Sequence, residues 1–320
     1  MEAHFLHSPS AELRILDEGG IRRIFIKGKA YSHGKLKPIL ETVDTLLKLE
    51  TIQKMVELKG DWWLDELERR QDANYVRRRL VTLINRFGDV QGARILDIGS
   101  GSGSSSLIFA DLGASLVQGV EPNPDFVRLA KMRAHDEGSE DRVLFSVIQK
   151  TSELPFEDAR FDIVSLNAVI EHIKPEERSA IIKEAFRVLK PGGLLVITET
   201  PNRAFPYDGH TTGLPLIPWL PLNTSISIAK KLSRHVPKNQ TREQYISQGI
   251  VGGSYWQIKN AFPNAVCQNL KGGDAKWKCT LQRSSFLTCK ILSVLEWLIN
   301  RLKLPLDAFM PMLDLVFKKT

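Results

Sequence analysis

From Arg94 onward, short apolar runs alternate with segments whose apolar residues recur at helical spacing. Ile95, Leu96 and Ile98 make the first run, and a glycine cluster stops it, which predicts a buried strand over 94–98. A helix over 104–112, a strand over 116–120, a helix from Pro124, and strands near 143–148 and 161–166 follow by the same reading. "PEERSAIIKEAFRVLKPGG" places Ile181, Ile182, Ala185, Phe186 and Leu189 on one side of a helix closed by a Pro-Gly-Gly turn, and "LLVITET" reads as the fifth strand. Strands that alternate with helices imply an α/β domain with a parallel sheet, here over 91–283, with "NAVCQNL" and "WKCTLQR" as its last strands.

The pattern changes on both sides of this domain. Over 12–27 apolar and polar residues alternate around Gly19 and Gly20, as in a β-hairpin. From Lys35 to Arg86 the pattern reads as helical, with Leu40, Val43, Leu46 and Leu47 on one stripe, so residues 1–90 are expected to form a hairpin and helical cap. Trp62 and Trp63 are read as packing residues. Residues 201–253, rich in proline and aromatic side chains, interrupt the strand rhythm and are expected to cover the mouth of the site. In 284–320, Leu287, Ile291, Val294, Leu295, Leu298 and Leu302 fall at helical spacing among Lys290, Glu296, Arg301 and Lys303, and Pro305 precedes a second apolar stretch. This amphipathic helical tail could pack on its own domain, on a dimer partner, or on an anionic membrane surface.

The glycines at 99, 101 and 103 allow a tight turn and a close approach to a ligand. A phosphate-binding loop would end in Gly-Lys-Ser/Thr, and no lysine lies between Arg94 and Gly119. A dinucleotide fingerprint would need a third glycine where Ser104 or Ser106 stands, which disfavours NAD without excluding it. S-adenosylmethionine remains: it has no phosphate but carries a ribose diol, and Glu121, which ends the next apolar run, is placed to accept from both hydroxyls.

"ILDIGSGSG", "GVEPN", "LPFEDARFDIVSLNAVIEHI" and "EAFRVLKPGGLLVITETPN" resemble, in order, the motifs of class I S-adenosylmethionine-dependent methyltransferases, most closely the branch that includes the O-methyltransferases of quinone biosynthesis. The resemblance implies a Rossmann-like seven-stranded α/β sheet with helices on both faces and a terminal antiparallel hairpin. It also implies that the donor lies over Asp97, Gly99, Gly101 and Gly103, with its ribose on Glu121 and its methionine end beside Asn167 and Glu171. The family tends to have an acid at the end of the third strand, against the adenine amine. Lys150 stands there instead, and since lysine only donates, backbone groups near Thr151 and Ser152 are expected to take over.

A hydroxyl acceptor calls for a base, and the candidates are His172, after the fourth strand, and His210, in the insertion. The Asn/Asp-Pro-Pro-aromatic motif of DNA amine methyltransferases is absent from "LNAVIEH", which disfavours nucleic acid. A non-catalytic relative would be expected to have lost the glycines and acids that stand here. The expectation is therefore O-methylation of a small, lipid-linked or glycan-type acceptor, with a phenolic or quinone-like acceptor as the alternative. A net charge of +7 suits an anionic partner or surface without choosing one. The cysteines, Cys267, Cys279 and Cys289, form no C-x-x-C pair, which argues for reduced thiols and against a metal framework. With neither a secretory pattern at the N-terminus nor about 18 uncharged apolar residues in a row, the expected setting is cytoplasmic, at most peripheral to the membrane.

Overall fold

In the computed structural model, which describes residues 3–150, 153–269 and 286–320, the chain divides into two compact units, 1–150 and 151–320. Thr151, Cys279 and the strand expected at 277–283 lie outside the described residues.

The first unit opens with a four-stranded antiparallel meander, β1 (Ala3–His7), β2 (Ala11–Glu18), β3 (Ile21–Ser32) and β4 (Lys35–Thr45). The hairpin at Gly19–Gly20 is present, with Glu18 opposite Ile21. The helical reading from Lys35 is corrected: the chain stays extended to Thr45, with Ile39 turned into the core and Leu40 86% exposed. That is the two-residue period of a strand, and Leu40, Val43 and Leu47 matched helical spacing by coincidence. Helices α1 (Leu49–Lys59), α2 (Trp63–Gln71) and α3 (Arg78–Ile84) follow. Leu13, Ile15, Ile24 and Ile26 pack against Met55, Trp63 and Leu67 in one core cluster, while Trp62 stacks on Tyr31 with ring centroids 3.7 Å apart.

Then come β5 (Arg94–Ile98), α4 (Ser104–Asp111), β6 (Leu116–Glu121), α5 (Pro124–Asp136) and β7 (Val143–Val147). β6 pairs in parallel with β5 and with β7. Asn123 caps α5, its side chain accepting from the Asp125 N–H, with Pro124 at the first helical position.

In the second unit β8 (Phe161–Asn167) is followed by α6 (Arg178–Val188) and β9 (Leu189–Pro201), which pairs in parallel with β8. The insertion comprises β10 (Tyr207–Asp208), β11 (Leu214–Pro215), α7 (Leu222–Leu232) and α8 (Arg242–Ser247). It has its own small core, built from Ile217, Ile226, Ala229, Val236, Tyr245, Ile250 and Val251. Its two ends are bridged at Asn202 and Gly253, where the Gly253 N–H donates to the Pro201 carbonyl. α9 (Tyr255–Ala261), β12 (Val266–Cys267), α10 (Phe286–Arg301) and β13 (Met312–Lys318) complete the unit.

The tail differs from its expected form. Only its first part is helical: beyond Pro305, "MLDLVFK" is β13, antiparallel to both β9 and β12. Leu313, Leu315, Val316 and Phe317 are fully buried, so the stretch is apolar on both faces, and such a run looks the same in sequence as a piece of buried helix. With β13 the sheet reaches seven strands, mostly parallel and flanked by helices.

Candidate active site

In the first unit, the turn between β5 and α4 depends on its glycines. Gly99, Gly101 and Gly103 all have positive φ, 69°, 53° and 90°. A β-carbon on Gly101 would meet no atom within 4 Å among the described residues, so the loop faces open space there. One on Gly119, beneath the loop, would fall 2.5 Å from the Phe145 ring and 2.9 Å from Ser100 Oγ. The Glu121 carboxylate accepts one backbone N–H on each oxygen, Gly101 at 3.1 Å and Asn123 at 3.0 Å, which fixes its plane and leaves lone pairs for further donors. Burial raises its pKa above the usual carboxylate value, and those two N–H groups oppose the shift. Asp97, 1% exposed, holds the first turn of α4: its Oδ2 accepts from Ser105 Oγ at 2.7 Å and Ser106 Oγ at 2.6 Å. The loop fits a ribose diol over Glu121, and Asp97 keeps the loop in place.

A buried network not anticipated from the sequence supports the same loop. Glu66 of α2 accepts from Ser104 Oγ at 2.5 Å, from Arg133 Nη1 at 3.0 Å and from Lys59 Nζ at 2.9 Å. Arg133, fully buried on α5, also donates to the Ser102 carbonyl at 2.9 Å. Burial alone would raise the Glu66 pKa, but the Lys59 and Arg133 charges hold it far below the carboxylate range.

In the second unit, β8 ends at Asn167, whose Oδ1 accepts from Thr198 Oγ1 at 2.7 Å. Ala168 then takes a left-handed φ of 55°, and a single turn over Ile170–His172 carries Glu171. Glu171 is 0% exposed, and among the described residues neither carboxyl oxygen has a partner at good hydrogen-bond geometry: the Thr200 hydroxyl is its polar neighbour, and His172 Nε2 stands 3.7 Å from Oε1. Burial pushes its pKa up to about 8. A buried carboxyl so weakly satisfied suits a cationic ligand, which the ammonium of the donor's methionine end would be. Arg178 ties this turn to the insertion, with Nη1 donating to the Gly252 carbonyl at 2.8 Å and Nη2 to the Val251 carbonyl at 2.5 Å.

Both candidate histidines lie beside that turn, with ring centroids 6.3 Å apart. His172 Nδ1 donates to the Ser247 carbonyl at 2.6 Å. His210 Nδ1 is 3.0 Å from Thr211 Oγ1, whose own proton goes to the Gln248 carbonyl at 2.9 Å. A hydroxyl has one proton to give, so Thr211 accepts from His210, Nδ1 carries the ring proton, and the Nε2 lone pair is available. Desolvation lowers both histidine pKa values, and at His210 the Asp208 and Glu199 charges oppose it. A β-carbon on Gly249 would come 3.1 Å from both Glu171 Cγ and His210 Cε1, so only glycine lets these two groups sit so close to the chain.

Two acids here have no counterpart among the expected site residues. Asp208 builds the turn that presents His210: its Oδ1 accepts from the N–H groups of His210 and Thr211, and its Oδ2 from the N–H and hydroxyl of Thr212. An acid followed closely by hydroxyl residues, as in "DGHTT", is the sequence signal of such a turn. Glu199 sits at a register shift where β9 meets β13, with a left-handed φ of 57°, an uncommon conformation for a glutamate. Its signal is the charge that interrupts the apolar strand "LLVITET". His210 also lines a cavity of about 280 Å³, with Phe205, Tyr207, Pro218, Ile250 and Met312 among its walls.

Residues 96–197 match the family described as "Methyltransferase domain". The chain carries a class I S-adenosylmethionine-dependent methyltransferase domain. It is 36% identical over 142 residues to 27-O-demethylrifamycin SV methyltransferase of Amycolatopsis mediterranei, a match covering 44% of this chain and 50% of that protein. It is 31% identical over 161 residues to erythromycin 3''-O-methyltransferase of Saccharopolyspora erythraea, with the same coverage of 44% and 50%. It is 28% identical over 152 residues to the ubiquinone biosynthesis O-methyltransferase of Leptothrix cholodnii, covering 48% and 63%. The chain thus spans about half the length of the first two relatives. The methyltransferase domain accounts for the glycine loop and for S-adenosylmethionine as cofactor. The meander, the insertion and the tail lie outside the matched residues.

Proposed function

We propose that the protein transfers a methyl group from S-adenosylmethionine to a hydroxyl oxygen on a small acceptor with an apolar body, with His210 as the base. The observation that carries this reading is the tautomer of His210: Thr211 fixes the ring proton on Nδ1, and Nε2 is the basic nitrogen of a ring lining an apolar cavity. S-adenosylmethionine supplies an electrophilic methyl on a sulfonium. As the acceptor oxygen bonds to that carbon, the carbon–sulfur bond breaks with its electron pair going to sulfur, and the acceptor proton passes to His210 Nε2. In the first unit Glu121 is the residue for the donor's ribose, with Asp97 and Glu66 keeping the loop in shape, and in the second unit Glu171 is the residue suited to an ammonium. The three relatives' names each specify O-methylation or an O-demethyl substrate, which supports oxygen as the nucleophile. The phenyl, phenol and aliphatic walls favour a lipid-linked or quinone-like acceptor over a bare glycan, whose hydroxyls would find few partners there.

Calorimetry with S-adenosylmethionine on Gly101→Val and Glu121→Ala tests the donor half. Both should bind more weakly, the first because a side chain fills the open space above the loop and the second because the diol acceptor is gone. Unchanged affinity in both folded variants would reject it. For the acceptor half, extracts of cells lacking the protein should contain a compound lighter by one methyl, which the purified protein converts in the presence of donor.

A further inference from the structure

Lys59 is the last residue of α1, and the matched methyltransferase residues, which begin at 96, do not reach it. Gly60 follows with a left-handed φ of 53°, which stops the helix and leaves Lys59 in its final turn, where the helix dipole favours a cation. The Lys59 side chain is 20% exposed, with Nζ 2.9 Å from Glu66 Oε2 and 4.5 Å from the centre of the Phe126 ring, in the first turn of α5. Glu66 turns its other oxygen to Ser104 and Arg133, and the α5 cap residue Asn123 donates its N–H to Glu121. The ammonium is thus held between the carboxylate that braces the glycine loop and the turn that presents the ribose acceptor. The other charges on these elements are engaged in their own contacts: Lys54 with Glu57 and Asp125, Arg133 with Glu66, Asp61 with Ser8 and Ser10, and Asp97 with Ser105 and Ser106, while Arg69 adds its field at Glu66.

We propose that Lys59 is a positioning residue for the donor's ribose, acting through the two carboxylates it stands between: it holds Glu66 against the loop and keeps Glu121 ionised as an acceptor. The inference rests on the reading of Glu121 as the residue for the ribose diol. The Gly101 and Asn123 N–H groups already donate to the two Glu121 oxygens, so a proton on either oxygen would compete with an N–H and turn an acceptor into a donor. Burial favours that proton, and the Lys59 charge opposes it together with the same two N–H groups. At Glu66 the Lys59 charge is the largest of those that oppose burial. An uncharged amide in place of Lys59 could still donate to Glu66 but could not hold Glu121 ionised, which separates the electrostatic role from a bracing one. The corner between α1 and α2 is then part of the ribose site itself, although it lies outside the matched residues.

The test is calorimetry with S-adenosylmethionine between pH 6 and pH 9 on the full chain and on its Lys59→Gln, Lys59→Met and Lys59→Arg variants, with melting curves to verify each fold. Each variant's affinity is divided by that of the wild type at the same pH, so the ionisation of Glu171, common to all of them, drops out. Lys59→Gln and Lys59→Met should bind about tenfold more weakly at pH 6, the difference between a charge-assisted hydrogen bond and a neutral one, and should recover to within about twofold at pH 9, where Glu121 ionises unaided. Lys59→Arg should follow the wild type throughout. In a Glu121→Gln background Lys59→Gln should weaken binding no further, because no carboxylate is left to hold. A loss of equal size at every pH, or a further loss in the Glu121→Gln background, would overturn the proposal, since Lys59 would then only brace the loop through Glu66. Unchanged affinity in both neutral variants would overturn it as well. If Glu121→Ala binds the donor as tightly as the wild type, the ribose reading itself has failed, an outcome that the Lys59 variants alone do not produce.

Discussion

Thr211 gives its only proton to the Gln248 carbonyl and therefore accepts from His210, so a single hydroxyl decides which nitrogen of that histidine is basic. Thr211→Val removes the acceptor while keeping the shape. Turnover should fall by about tenfold through mixed tautomers, with donor affinity unchanged. His210→Ala should lower turnover by about 10²–10⁴, the usual worth of a general base. Single-turnover kinetics beside calorimetry checks both, and equal losses in turnover and donor affinity would instead mark His210 as structural.

The pH profile follows from the direction of the His210 shift. Desolvation lowers its pKa, so the ring is already neutral at pH 7 and becomes a cation only below the ordinary imidazole range. kcat/KM should be flat from neutral pH upward on this limb and fall with acid below it. A limb centred above the ordinary imidazole value would contradict the assignment.

Glu171 sets a second dependence of the same sign, centred at higher pH because its pKa is shifted the other way. With its pKa near 8, the free protein holds this carboxyl protonated at neutral pH, and a cationic donor requires it ionised. Donor affinity should therefore rise with pH up to about 8, and binding at pH 7 should release a proton, visible as a dependence of the calorimetric heat on the buffer's ionisation enthalpy. In the unfolded chain the same group titrates near the ordinary value of about 4.3. Between about 4.3 and 8 the folded state binds the extra proton, so this group's contribution to stability declines as pH rises through that window. Glu171→Gln should be more stable than the parent chain at pH 9, by a margin that vanishes near pH 4, while binding donor poorly. Thermal melts across pH check the sign.

The Glu66 network makes a structural prediction in the first unit. Glu66→Ala strands Arg133, which is fully buried, without its carboxylate partner, a loss of about 3–5 kcal/mol. Chemical denaturation of the variant measures it. Glu66 has a depressed pKa, so its contribution is present above the unfolded value and is lost as acid protonates the folded carboxyl.

The glycine loop and its acid were legible because their signal is local: Gly99, Gly101 and Gly103 occupy left-handed conformations that a sequence advertises by glycine alone. Strands β5 to β9 were legible for a similar reason, as apolar runs bounded by breakers. β4 was misread because Leu40, Val43 and Leu47 happen to fit a helical stripe, and nothing local reveals that Leu40 faces solvent. β13 was misread because a strand covered on both faces has no period to detect. Glu171 was assigned to the donor from family resemblance, but its raised pKa was not readable, since burial is a property of the folded neighbourhood. The Glu66–Arg133 pair escaped for the same reason, since it joins segments far apart in sequence, whereas Glu199 left a local signal in the charge that interrupts "LLVITET".

The bridge between Asn202 and Gly253 closes the insertion at one point, so the chain leaves the end of β9 and returns beside it, before α9, through a single paired gate. Behind that gate the insertion folds around its own apolar centre, with Tyr245 and Ile226 inside. An exchange of everything between the two gate residues would leave every strand of the sheet in register while replacing His210 and most of the cavity wall. Acceptor choice can therefore diverge as a cassette, provided that the replacement keeps the backbone at 247–252 on which the Glu171 turn rests.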